Sequence, residues 1–313
     1  MKAIYLIANP NAGGGNGSQA FDQACKYLQE RHIPFLSFKT EYPFHTIELT
    51  NQVIQRARLD EKPAILVIGG DGTLHEVLKT LVNHGSRIPV AYLATGTGND
   101  FNRAWQKNAD FETVLQNLLR QSQLTHVPIF KSFNPQTREQ DIVINSLGYG
   151  LDGQVVTTYS QLSPGHPLKK VLRGKPAYWL SALQAGFKLP SFTIQIETNH
   201  KTKVLNDCQL VGFFNSPYFG GGIQIYPHII PSQTEIAMVV FQKVNLVQFF
   251  KLFSKVIRKK ADLDPKHFSF ETFDQVTLTI EQAVPSQVDG EVRAKVPETL
   301  ELSITSYPFI LGT

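Results

Sequence analysis

Gly69-Gly70-Asp71-Gly72-Thr73 sets one carboxylate among three glycines, where an apolar run gives way to a helical pattern. Backbone N–H groups at a glycine-rich turn that opens a helix form a natural phosphate cradle. Inside such a cradle Asp71 would repel phosphate, so its carboxylate makes chemical sense when a Mg2+ bridges it to the phosphate oxygens. The same glycines also suit a tight strand–helix turn that needs only positive φ. A second acidic group, Asp289-Gly290-Glu291, lies between β-like segments near the end of the chain. Taken alone, Asp-Gly most often marks a hairpin turn.

The elements that must position these residues are legible around them. Ala64 to Ile68 is a short β-branched run that reads as a buried strand, and Leu74, Val77, Leu78 and Leu81 mark the helix that follows, which stops near Asn83-His84-Gly85. Ala3–Ala8 reads as a first strand. It leads into the flexible turn Asn9 to Gly17, with Ser18 as N-cap of a helix through about Gln29. That turn lacks GKS or GKT, and Ser18 stands where a third fingerprint glycine would be, so neither a Walker P-loop nor a dinucleotide fingerprint is present. A strand near Pro34–Lys39, a helix near His45–Leu59 and a strand at Pro89–Leu93 follow. The last leads into a second small-residue turn, Ala94 to Gly98, and Asp110 caps a helix to Arg120. Turns 9–17, 69–73 and 94–98 would then share the carboxyl edge of one parallel sheet, where open α/β sheets bind ligands.

After about residue 124 helical periodicity gives way to short β-like runs at 125–130, 141–146, 192–197, 209–215, 236–242, 275–281 and 300–305, interrupted by helical stretches at 177–188 and 246–259. The pattern predicts an α/β domain over 1–124 and an antiparallel sandwich or barrel with helical insertions over 125–306. Residues 307–313 are expected to pack back on the first domain. The 313 residues suffice for two cores, and 42% hydrophobic with 18% charged residues describes an ordinary globular chain. A net charge of +4 is too weak to argue nucleic-acid binding, yet it suits an anionic ligand or membrane surface. Cys25 and Cys208 have no CxxC partner, which disfavours a disulfide scaffold or zinc site and fits a cytoplasmic location. With no apolar run near the ~20 residues of a membrane span, any lipid substrate is met at the bilayer surface.

With Gly69–Thr73, Thr97-Gly98-Asn99-Asp100-Phe101, Gly220-Gly221-Gly222 and Asp289-Gly290-Glu291 in view, the sequence resembles the diacylglycerol kinase catalytic-domain family, in the soluble bacterial lipid-kinase branch related to sphingosine kinases and NAD kinases. Asn9-Pro10, Asn145 to Gly150 and Gly174-Lys175 agree with it, and the match covers nearly the whole chain. The resemblance implies an NAD-kinase-like three-layer α/β domain and a β-sandwich, with ATP and Mg2+ between them and a lipid hydroxyl as acceptor, diacylglycerol giving phosphatidic acid being the leading expectation. It also implies site residues. Asn9, Pro10, Asn11, Ala12, Gly13 and Thr40 would contact nucleotide. Gly69, Gly70, Gly72, Thr73 and Glu76 would hold phosphate, with Asp71 on the metal, and Thr97, Asn99 and Asp100 would complete that side. Asp289 would be the general base and Glu291 its acidic partner. Phosphoryl transfer asks for this set: positioned phosphates, charge neutralisation and a base on the attacking hydroxyl.

The chain departs from the family pattern at residues 231–237, where Glu235 alone is acidic, so a structural Mg2+ site found there in relatives is expected to be lost or altered. Arg103 suits either a phosphate contact or a solvated helix face, and His75 reads as polar filler. Basic clusters at 169–175 and 258–260 are solvated faces or docks for anionic lipid. Phe213, Phe214, Tyr218 and Phe219 flank the Gly220–Gly222 turn as core or as a lipid-chain groove. The reading leaves room for a homodimer. Its competing readings are a kinase for a soluble acceptor such as NAD, and a non-catalytic nucleotide-binding regulator.

Overall fold

The computed structural model describes residues 3–121, 124–161, 191–198, 201–232, 234–258 and 263–312. The chain divides into two compact units, Met1–Val127 with Ser306–Thr313, and Pro128–Thr305.

In the first unit β1 (Ile4–Ala8), β2 (Phe35–Lys39), β3 (Ala64–Gly69) and β4 (Val90–Ala94) form a parallel sheet in the order β2-β1-β3-β4. Every residue of β1 and β3 is buried, the mark of parallel strands covered on both faces. The helices are α1 (Asn16–Glu30), α2 (His45–Ala57), α3 (Asp71–Asn83), α4 (Asp100–Trp105) and α5 (Phe111–Arg120). Phe21, Ala24 and Leu28 of α1 join Val114, Leu115 and Leu118 of α5 over Leu6, Leu66 and Ala91 in one core.

One helix start differs from the sequence expectation. Ser18 lies inside α1, whose N-cap is Gly15 at φ 109 with no side-chain capping bond. Gly13, Gly14 and Gly15 all adopt positive φ, so the chain enters the helix earlier than a serine cap would allow. Before α2 the N-cap is Phe44, also left-handed. Asp110 does cap α5, accepting from the Thr113 N–H at 2.8 Å, and that bond holds its carboxyl below the usual range.

In the second unit β5 (Thr125–Phe133, its first residues belonging to the first unit), β6 (Gln140–Val143), β7 (Ser146–Gly150), β8 (Phe192–Glu197), β9 (Thr202–Phe214), β12 (Ile236–Gln242), β13 (Phe268–Phe273), β14 (Gln275–Ile280), β15 (Ser286–Val288), β16 (Glu291–Arg293) and β17 (Glu298–Phe309) pair antiparallel. β10 (Tyr218–Phe219) and β11 (Ile223–Gln224) make a separate ribbon. β9 is the hub: its C-terminal half lies between β7 and β12, and its N-terminal half pairs with β8. Phe130, Leu147, Val211, Phe213, Met238 and Leu278 belong to the core between the layers. The result is an α/β unit and an antiparallel β-sandwich-like unit, the fold class expected.

Some elements were not anticipated. The run at 141–146 is two strands, because the N–H groups of Ile144 and Asn145 turn to the Asp289 carboxylate instead of a neighbouring strand. Residues 151–161 form helix α6 (Leu151–Gln161), although the pattern there carries little amphipathic signal. Close packing holds it in place: a Cβ on Gly153 would lie 2.4 Å from the Pro285 carbonyl carbon. Helix α7 (Leu246–Ile257) matches the expected stretch, opened by a capping box between Asn245 and Gln248. The helix expected at 177–188 lies outside the described residues.

The chain returns to the first unit at its end. Phe309 pairs in parallel with Val90 on β4 and packs on Phe101 with ring centroids 4.8 Å apart, and the Asn117 side chain donates to Leu311 O at 2.9 Å. Phe309 has no exposed surface, so Phe309→Ala is expected to cost about 3–5 kcal/mol, read as a lowered urea midpoint. An unchanged midpoint would mean that the tail adds nothing to the first unit's stability.

Candidate functional site

Register brings the turns of the first unit to one level. Ala8 pairs with Ile68, and Gly69 pairs with Ala94. The turn residues then bond across the sheet edge: Asn9 N–H donates to Ile68 O at 2.9 Å, and Thr95 and Gly96 N–H both donate to Gly69 O at 2.8 and 3.2 Å. Glycine is required where the turns touch. A Cβ on Gly96 would stand 2.6 Å from Gly70 Cα, and one on Gly13, at φ 60, would stand 2.0 Å from Thr95 O. The Thr40 N–H donates to Ala8 O at 2.8 Å, which sets that side chain at the end of β2. Asn9 Nδ2 lies 3.5 Å from Thr73 Oγ1, and Asn9 Oδ1 accepts from Asn11 N–H at 3.0 Å. The structure therefore brings together Asn9, Gly13, Gly69, Gly70, Asp71, Thr73, Asn99 and Asp100. Pro10, Asn11 and Ala12 belong to the same first turn, and Glu76 is half-buried one turn into α3. Thr97 is exposed at the turn's outer edge.

Asp71 ties two of these turns. It is the first residue of α3, after Gly70 in extended conformation. Its Oδ2 accepts the Asp100 N–H at 2.9 Å, and its Oδ1 accepts the Phe101 N–H at 3.4 Å, so the carboxylate caps α4. A Cβ on Gly98 would come within 3.2 Å of Oδ2. The buried Tyr92 hydroxyl reaches Gly69 O at 3.3 Å and Asp71 Oδ1 at 3.5 Å. Burial, and then the Asp71 charge, pushes its phenol well above the ordinary value, so it stays a neutral donor. The Arg103 guanidinium bonds Gly98 O and pairs with Asp100 at 3.1 Å, clamping the turn to α4. The pairing with Asp100 follows the i,i+3 spacing of one helix face, and the bond to Gly98 O does not show in the sequence. Asn99 holds φ 55 and donates to Gly96 O at 2.8 Å, while its Oδ1 and Thr95 Oγ1 are buried without a partner. An uncharged cleft of about 410 Å3 lies beside this turn, between Gln19 and Gln23 of α1 and Phe111 ahead of it.

The other acidic group belongs to the second unit. Asp289 and Gly290 form a two-residue hairpin loop between β15 and β16, both at positive φ (51 and 88), the primed turn that Asp-Gly favours. The Asp289 carboxylate faces inward. Its Oδ2 accepts from Ile144 N–H at 2.9 Å, and its Oδ1 from Asn145 and Ser146 N–H at 2.7 and 3.0 Å. Glu291 is exposed at the start of β16. That strand is held by Arg293, which grips Glu298 with two bonds at 2.8 and 2.9 Å, and Tyr149 OH donates to the same carboxylate at 2.8 Å.

Deeper in the second unit an apolar cavity of about 30 Å3 is walled by Leu151, Val155, Leu210, Phe219 and Phe249, with Asp152 its one ionisable lining residue. Phe213 and Phe214 are core, and Phe219 lines this cavity. At 231–237, Ser232 bonds Thr234, and Glu235 accepts from Thr272. Residue 233, the cluster 169–175, Lys259 and Lys260 lie outside the described residues, and Arg258 is exposed.

Residues 3–131 match the family described as the diacylglycerol kinase catalytic domain, and residues 152–309 match the YegS C-terminal NAD kinase beta sandwich-like domain. YtlR of Bacillus subtilis (strain 168), which bears a lipid-kinase name, is 28% identical over 313 residues, 97% of each chain. A Staphylococcus aureus (strain JH9) protein named in the same way is 20% identical over 300 residues, 95% of this chain and 90% of its own. Among solved structures, a Bacillus anthracis protein described as a diacylglycerol kinase superposes with TM-score 0.72 at 19% identity, over 99% of this chain and 96% of that one, a likeness of fold.

The contact between Gly96 and Gly70 yields a test. Gly96→Ala would drive a Cβ against backbone that cannot move aside, so affinity for ATP, read by equilibrium dialysis, is expected to fall about tenfold or more, some 1.4 kcal/mol. Unchanged affinity would mean that the paired turns do not hold the nucleotide.

Proposed function

We propose, for a chain that belongs to the family pairing a diacylglycerol kinase catalytic domain with a YegS C-terminal NAD kinase beta sandwich-like domain, that it transfers the γ-phosphoryl group of ATP to a lipid hydroxyl, with diacylglycerol as acceptor and phosphatidic acid as product. The observation that carries this reading is the set of glycine-bearing turns at one sheet edge, tied together by Asp71. The N–H groups of Gly72 and Thr73 precede the first rung of the α3 ladder, Leu74 to Gly70, and would orient phosphate oxygens. Asn9 to Gly13 and Thr40 would contact the rest of the nucleotide.

Asp71 and Asp100 suit a Mg2+ of the phosphate-bridging kind, which takes one or two carboxylates and fills its shell with phosphate and water. When bound, that ion neutralises charge on the phosphate oxygens. The remaining work falls to the chain's own side chains. The acceptor oxygen bonds to the γ-phosphorus as the bond to the β–γ bridging oxygen breaks, ADP departs, and the hydroxyl proton goes to a carboxylate. Within the acidic pair, the three backbone bonds of Asp289 favour an anchoring role for it. The exposed Glu291 is then the group that takes the proton, a reassignment from the sequence expectation, which gave that role to Asp289.

The apolar cavity of about 30 Å3 has room for roughly one methylene-sized group, so an acyl chain would enter it only by displacing wall residues such as Phe249 on α7. Among the described residues no helix is long and apolar enough to cross a membrane. The reading places the protein in the cytoplasm, meeting its acceptor at the membrane surface.

The test is incubation with γ-labelled ATP, mixed micelles containing diacylglycerol, and NAD as competing acceptor. Label is expected in the lipid, and EDTA is expected to abolish it. Glu291→Gln should lower kcat by about 10²–10⁴-fold while ATP affinity holds. Asp71→Asn should weaken use of Mg-ATP itself. Asp289→Asn should both slow turnover and loosen the hairpin, because an amide NH2 would face backbone donors. Label on NAD, or on no acceptor, would contradict the lipid-kinase reading, and full activity in Glu291→Gln would contradict the choice of base.

A further inference from the structure

Gln287 was not singled out by its sequence, yet it bonds two features of the second unit that the proposed reaction uses. It lies on β15 and is 2% exposed. One end of its amide faces the hairpin: Oε1 accepts the Gly290 N–H at 2.8 Å. The other end faces the cavity wall: Nε2 donates to Asp152 Oδ2 at 2.7 Å and to Ser146 Oγ at 3.2 Å. Asp152 is itself 2% exposed and lies close against Gly148, where a Cβ would sit 1.8 Å from its Oδ2. A side chain here must accept at one end and donate at the other across a fixed span, which a neutral amide of glutamine length does.

We propose that Gln287 is a positioning residue that transmits occupancy of the apolar cavity to the Asp289–Gly290 peptide of the hairpin loop. The proposal rests on the lipid-kinase reading above. An acyl chain entering against Leu151 and Val155 presses on the first turn of α6, which carries Asp152. Asp152 moves with its hydrogen-bonded partner Gln287, and Gln287 holds the Asp289–Gly290 peptide, one residue ahead of Glu291. A filled cavity thereby orders the proton-accepting carboxylate, and an empty one leaves it less well placed. Turnover, and not only affinity, should then depend on acyl-chain length.

The experiment compares wild type, Gln287→Met and Gln287→Glu on dibutyryl-, dihexanoyl-, dioctanoyl- and didecanoylglycerol in mixed micelles, with kcat and both KM values measured for each. In wild type, kcat is expected to rise with chain length. In Gln287→Met, which keeps shape and loses both bonds, KM for ATP should stay within about twofold, kcat on the longest chain should fall about tenfold or more, and the chain-length dependence of kcat should flatten. Gln287→Glu sets a carboxylate against Asp152. It should behave like the methionine variant near pH 8 and recover toward pH 6, as a proton shared by the pair restores the donor, a gain absent from wild type.

A kcat that falls by one common factor at every chain length would leave Gln287 a merely structural residue and overturn the proposal, as would variants that match wild type. If Gln287→Met fails to fold, the acid recovery of Gln287→Glu decides alone, and its absence counts against the proposal. Wild type that labels no lipid refutes the lipid-kinase reading and this inference with it. Active wild type with unaltered variants refutes only the inference.

Discussion

The first unit depends on the bond between the Asp71 carboxylate and the N–H groups that open α4. The charge repulsion that made a lone aspartate in a phosphate turn seem to need a cation is met first by backbone: Asp100 N–H at 2.9 Å and Phe101 N–H at 3.4 Å. A carboxylate at the start of two helices gains from both dipoles, about 0.3–1 kcal/mol each. The same bond fixes the 94–99 turn against 69–72, so close that glycine alone fits at 96. Arg103 then closes the turn from its far side by pairing with Asp100. Turns joined this way are tied to each other by the protein's own bonds.

The second unit uses the same device for a different end. Asp289 draws in three backbone N–H groups that would otherwise have continued the strand run at 144–146, and it thereby both breaks that run and plants the hairpin. Arg293 and Glu298 brace the outgoing strand, and Gln287 braces the loop from beneath. Glu291 is displayed at the edge of a turn held from several sides. Precise placement of a reactive group is what phosphoryl transfer asks of a protein, since the chemistry itself needs little covalent help.

The strand–turn–helix units of the first unit were legible because each carries its own local signal: a buried apolar run, small residues at a bend, then helical spacing. The antiparallel β character of the second unit was legible from short β-like runs. Other features were not, because they are settled by long-range bonds. α6 is placed by the close approach of Gly153 to Pro285, which no periodicity encodes. β13 carries a local signal of its own, the alternation of Phe268 and Phe270 against Ser269 and Glu271. Ser18 looked like a cap, but three glycines at positive φ carried the chain into α1 without one. Gln287 and Arg103 are ordinary residues in the sequence, and their roles appear only once Asp152, Gly290 and Gly98 are folded beside them.

The central claim is that the turns around Asp71 hold the nucleotide's phosphates. Backbone 15N–1H NMR of the protein titrated with a non-hydrolysable ATP analogue and Mg2+ tests it most directly. The account predicts that the largest shifts fall on the amides of Gly13, Gly70, Gly72, Thr73 and Gly96 to Asp100. Shifts centred elsewhere, such as on Gln19, Gln23 and Phe111 around the uncharged cleft, with Gly70 to Thr73 unmoved, would contradict it.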